Sequence, residues 1–103
     1  MAKVKDVTMS FPASNSPDVV GYKLYIEMSP AEVSYDSQFF DLGDSTSINL
    51  ATLPGMTTQD GTFNLGVTAV DDAGNESSMT LISNVPLDFE APNPPGEITI
   101  TRV

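Results

Sequence analysis

Residues 63–77, FNLGVTAVDDAGNES, constrain the fold more than any other run in the chain. Leu65, Val67 and Ala69 fall on one phase of a two-residue alternation, with Asn64, Gly66, Thr68 and Val70 on the other. That is the period of a half-buried strand. Asp71 to Asn75 then supplies turn chemistry. Asp side chains accept from nearby backbone N–H groups, and Gly74 and Asn75 tolerate positive φ. A second strand starts beyond the turn, so the run predicts a β-hairpin in an all-β domain.

Similar alternation recurs along the chain. Val7, Met9 and Phe11 alternate with Thr8 and Ser10, predicting a strand within residues 4–11, and the loop PASNSPD follows. Val20, Tyr22, Leu24, Ile26 and Met28 share one face of the next strand, with Gly21, Lys23, Tyr25 and Glu27 on the other, until Ser29-Pro30 stops it. Ala31 to Leu42 is less regular: a mobile segment, then a short edge strand through Phe39, Phe40 and Leu42. Adjacent residues of a strand point to opposite faces, so one of Phe39 and Phe40 is expected in the core and the other outside. DLGDS turns the chain, Thr46 to Leu50 forms a strand with Ile48 and Leu50 inward, and Leu53-Pro54-Gly55 turns it again before a polar loop. After the hairpin strand, Ser78 to Leu87 returns with Leu81, Ser83, Val85 and Leu87 on one phase and Ile82 on the other. Short strands with turn signals between them predict an antiparallel, two-sheet sandwich.

Composition narrows the chemistry. There is no Cys and no His among the 103 residues, which removes a disulfide, a thiol nucleophile, an imidazole base and a Ser-His-Asp triad. No glycine-rich phosphate loop occurs. A carboxylate pair is the remaining catalytic option, but the acidic residues fall mostly in turns, and the expectation is a non-enzymatic protein without catalytic residues, cofactor or metal. A net charge of −10, from four basic and fourteen acidic residues, makes nucleic acid and anionic membranes poor partners. No apolar run approaches a membrane span and the N-terminal residues lack a signal-peptide core. If the chain is a whole product, it is made in the cytosol or assembled into something made there; if it is a piece of a larger one, the missing signal carries no information.

Taken in order, these residues resemble a fibronectin type III domain of the kind found in bacterial and viral proteins. Val7 to Phe11 is similar to its B strand, Gly21-Tyr22-Lys23-Leu24-Tyr25 to its C strand, and Leu53-Pro54-Gly55 to the turn before F. Val67 to Asp71 and Ala73 to Ser77 are similar to its F strand and F–G hairpin. The resemblance covers roughly residues 4–88 and implies an immunoglobulin-like sandwich. Phe11 stands where the family usually has a core Trp, and Phe63 where it usually has a corner Tyr. Each keeps aromatic burial and loses a polar handle. Phe63 is therefore expected to be buried without the corner hydrogen bond.

The ends depart further. Residues 1–89 form the expected sandwich without an obvious A strand, residues 90–96 (EAPNPPG) a stiff linker, and residues 97–103 (EITITRV) a tail that is similar to an A strand at the wrong end. Three fates are open to it: a loose end left by a boundary that cuts a tandem array out of phase, pairing within its own molecule, or addition to a neighbour's sheet edge. Tyr25, Tyr35, Phe39 and Phe40 form a candidate aromatic patch for protein or sugar, the sugar reading weakened by the absence of Trp; the protein-interaction candidates are Tyr25 and Phe40 from it and Ile98, Ile100 and Val103 in the tail. Asp71, Asp72, Asn75 and Glu76 have a calcium reading and a turn-forming one, the latter favoured because the alternating acidic spacing of an EF-hand loop is missing. Asp41 and Asp44 have the same two readings. The expected function is a structural or protein-interaction module with a protein partner, self or host assembly, and possible homo-oligomers through the tail. An accessory component of a larger particle such as a phage capsid or tail competes with a spacer or adhesion module of a secreted bacterial protein. A virion or an extracellular surface is the favoured setting.

Overall fold

The computed structural model describes residues 7–56 and 60–102. Among them the strands are β1 (Thr8–Ser10), β2 (Val19–Met28), β3 (Gln38–Gly43), β4 (Ser47–Asn49), β5 (Asp60–Asp71) and β6 (Thr80–Asp88), with a 3-10 turn at Leu50–Thr52. They form two antiparallel sheets, a small one ordered β1-β4 and a larger one ordered β3-β2-β5-β6. The protein is therefore all-β.

The long strands β2 and β5 are the centre of the larger sheet, and their ladder runs from Val19↔Asp71 to Met28↔Phe63. The alternation of β2 places Tyr22, Leu24 and Ile26 in the core, while Val20 and Met28, near its ends, stay exposed. Leu65 and Phe63 join them from β5, Phe40 and Leu42 from β3, and Leu50, Met56, Leu87 and Phe89 close the cluster. From the small sheet and its flanks, Val7, Met9, Phe11 and Ile48 pack partly buried against the same core. Phe11 meets Tyr22 edge-on, with ring centroids 5.0 Å apart. Burial of each large side chain contributes about 1.5–3 kcal/mol, so this cluster is the main source of stability.

Phe39 and Phe40 do point to opposite faces, and the core takes Phe40. This corrects Phe40 as a surface candidate: it sits opposite Leu24 on the inner face, and Phe39, half exposed, is the outer residue. The segment before β3, expected to be mobile, is tied down. Asn64 Nδ2 donates to the Ala31 carbonyl at 2.8 Å, Ser34 N–H donates to Ser37 Oγ at 2.9 Å, and Ser37 Oγ donates to Glu27 Oε2 at 3.0 Å.

The predicted single phase of β6 is broken. The register slips opposite Asn64, where Asn84 adopts φ 58° and its N–H donates to Asn64 Oδ1 at 3.1 Å. This bulge inserts a residue, so Leu81, paired with Gly66, lies on the outer face while Val85 and Leu87 turn toward the core. Beyond Phe89 the described chain carries no strand, and residues 97–102, expected to be strand-like, pair with no other described residue. A β-strand is held by its partner's ladder, and no described segment offers one there. Ile98 and Ile100 are accordingly 85% and 78% exposed. Val103 lies outside the described residues, as does most of the segment before Thr8.

Candidate functional site

Two surfaces stand out: a polar-aromatic cluster on the outer face of the larger sheet, and an open flank beside β6. The cluster is built around Tyr25. Alternation puts this residue on the outer face of β2, yet it is only 2% exposed, which corrects its reading as an accessible patch residue. The cover comes from Tyr35 and Phe39, whose ring centroids lie 5.9 and 5.6 Å away, and from Glu76 in the hairpin. Tyr35 is held by its hydroxyl, which donates to the Ser77 carbonyl at 2.8 Å. Gly66 belongs to the same face. A side chain there would run into Met79, which lies close over the glycine.

Glu76 is the acceptor that makes this arrangement possible. The Tyr25 phenol donates to its Oε1, and the fully buried Thr68 hydroxyl donates to the same oxygen at 2.8 Å. Lys23 Nζ stands 3.6 Å from Oε2 and 4.8 Å from the centroid of the Phe39 ring. The phenol's donation, with help from Thr68 and Lys23, holds the Glu76 carboxyl below its ordinary range against the opposing effect of burial. Burial first, and then the bond to Glu76, push the Tyr25 phenol up to about 12. A carboxyl held ionised and occupied by two hydroxyls is a fixed acceptor, the reverse of a proton donor poised near neutrality.

Asp71 is engaged within the hairpin turn, and Asp72 donates its backbone N–H to the Asp18 carbonyl at 3.2 Å. Asp71 Oδ1 accepts from the Ala73 and Asn75 N–H groups at 3.0 and 2.8 Å, and Oδ2 accepts from Asn75 Nδ2 at 3.1 Å. The Asn75 side chain and backbone are the largest causes of its lowered pKa. The αL-like turn is completed by Gly74 at φ 89°. Asp41 Oδ1 caps its own turn by accepting from Gly43 N–H at 2.9 Å. These are turn-forming roles, and among the described residues no group of three or more acidic side chains is arranged to hold a metal ion.

The open flank lies between the two sheets. Phe11, Tyr22, Val67, Ala69 and Thr80 line a groove of about 500 Å³ there. It shares Ser14, Ala69 and Ser77 with an adjoining pocket lined by Asp18, Asp71 and Glu76. Beside it, the first half of β6 presents Leu81 and Ile82, 61% and 58% exposed. Sequence reading singled out the tail isoleucines, and the structure keeps both exposed. It did not single out Leu81 and Ile82, because a strand that ends a sheet carries no different pattern from one inside it.

No family model, curated protein or solved structure matches the chain. What fold and surface define is a class: an all-β domain of two antiparallel sheets with an open flank and a tail that is unpaired among the described residues.

Proposed function

We propose that the chain is a non-enzymatic structural and protein-interaction module, a fibronectin type III-like sandwich that works as an accessory component of a larger assembly such as a phage capsid or tail. The strand orders support the fold reading. On this reading the pair β1-β4 stands for the family's B and E strands, and the order β3-β2-β5-β6 for C′, C, F and G. The function rests above all on the tail, which carries two exposed isoleucines on a proline-rich linker and has no strand partner among the described residues. Exposed apolar residues on an unpaired β-branched segment are a surface waiting for another chain. The linker also suits a second reading, a spacer or adhesion module in a multidomain secreted protein, where the tail opens the next domain.

Hydrogen exchange, compared between the isolated chain and the chain in its native assembly, tests the reading. The amides of residues 97–102 are expected to be unprotected alone and protected in the assembly. Equal exchange in both states refutes it.

A further inference from the structure

We infer that the occupant of the open flank is the tail of a second copy of this chain, which adds as an antiparallel strand to the first half of β6. This rests on the reading of the chain as an interaction module and names its partner.

The edge of β6 is guarded over only half its length. From Asn84 onward a positive-φ bulge and Pro86, which has no N–H, interrupt any ladder that another strand could form. Thr80 to Ser83 has neither device and no charge, and it carries the exposed Leu81 and Ile82. The tail alternates Ile98, Ile100 and Arg102 against Thr99 and Thr101. Hydrophobic pattern sets register, and one register satisfies both sides. Ile98 lies beside Ile82, Ile100 lies beside Thr80 over the groove of Val67 and Ala69, and Arg102 reaches past Ser78. An antiparallel strand in this register delivers Arg102, one of four basic residues, to the pocket lined by Asp18 and Asp71. Apolar side chains meet the groove and the cation meets the acids.

The chain's own tail is poorly placed for this site. Ala91, Asn93 and Pro94 each precede a proline, which keeps the linker extended. Seven such residues carry the chain about 22 Å outward at ~3.1 Å each. Residues 92–102 are all exposed and pair with no described residue, and the molecule measures 74 Å along its longest axis against 27 and 19 Å across it, so the tail stands away from the edge of β6. A second copy has no such restriction, and the contact it makes is heterologous: each copy gives a tail and receives one, so copies join head to tail.

Complementation of full-length variants tests this. Ile98→Asp/Ile100→Asp disables the tail, and Leu81→Asp/Ile82→Asp disables the edge; all four positions are exposed, and unchanged melting confirms that each variant folds. In light scattering at moderate salt, wild-type mass is expected to rise with concentration, each variant alone to remain monomeric, and their equimolar mixture to reach the dimer mass. Arg102→Ala is expected to shift wild-type association to roughly three- to fivefold higher concentration, as the loss of one partly exposed ion pair implies. A wild type that stays monomeric up to about 1 mM, where even weak strand addition registers, a mixture that stays monomeric, or a tail variant that still self-associates overturns the inference. If association fails while the native assembly still protects residues 97–102, the partner is a different protein and only this inference falls.

Discussion

Replacement of Glu76 should destabilise the fold through the two hydroxyls it leaves behind. Tyr25 and Thr68 are 2% and 0% exposed, and both donate to Glu76 Oε1. Hydrogen bonds to a charged group contribute about 1.5–3 kcal/mol, and a buried donor left unpaired costs about 1–3 kcal/mol. Because the Glu76 side chain is itself 21% exposed, water reaches part of the vacated space and the lower ends apply. Glu76→Ala is thus expected to cost about 2–3 kcal/mol, and Tyr25→Phe about 1.5 kcal/mol. In the double variant the Tyr25 hydroxyl is no longer stranded, so the combined loss should fall short of the sum by about 1–2 kcal/mol. The Lys23 pair, at 3.6 Å with its own side chain 27% exposed, contributes much less, about 0–1 kcal/mol, so Lys23→Gln should be nearly neutral. Urea unfolding followed by circular dichroism measures all of these, with the slope unchanged if the native state is preserved. Additivity of Tyr25→Phe and Glu76→Ala within about 0.5 kcal/mol refutes the shared-acceptor reasoning.

The same cluster sets the pH dependence. Glu76 is held below its ordinary 4.5, so its contribution is complete above that value and is lost as pH falls through the depressed pKa; Glu76→Gln should flatten the acid limb of stability against pH. Tyr25 is shifted the other way, so its contribution is complete below pH 10 and is lost as pH rises toward about 12; phenolate absorbance should show a phenol titrating near 12, moved down in Glu76→Gln. Leu24→Ala, at a fully buried position between β3 and β5, should cost about 2–5 kcal/mol in urea melts. Gly74→Ala forces an ordinary residue to φ 89° and should cost about 1–2 kcal/mol, whereas a neutral result removes the turn reading. Phe63→Tyr should change stability by under about 1.5 kcal/mol; a larger loss rejects the placement of Phe63 at the family's corner position.

Sequence reading followed the fold where local pattern and burial agree. The alternation of β2 and β5 and the Asp71-Gly74 turn are local signals, and β2, β5 and their turn form where the alternation and the Asp-Gly chemistry place them. It failed at Tyr25, because alternation reports which face a residue is on and carries nothing about what covers that face. The cover comes from Tyr35, Phe39 and Glu76, and the last of these lies 51 residues from Tyr25 in the chain. Glu76 read as a turn or calcium-type acid for the same reason: its partners come from β2 and β5. The bulge at Asn84 was also hidden, since a one-residue insertion depends on the facing strand and leaves no mark in composition. The tail is the converse case. Its alternation reads as a strand, but a strand exists only where another chain segment completes its ladder, and residues 97–102 find none among the described residues.

That dependence makes concentration the decisive variable. The most direct measurement is amide hydrogen exchange of the full-length chain, resolved at Thr99, Ile100 and Thr101 and at Thr80 to Ser83, over a wide range of protein concentration. Addition of one copy's tail to another's edge predicts that protection of both segments is weak in dilute solution and rises together with concentration. Protection absent throughout, or present and independent of concentration, contradicts it.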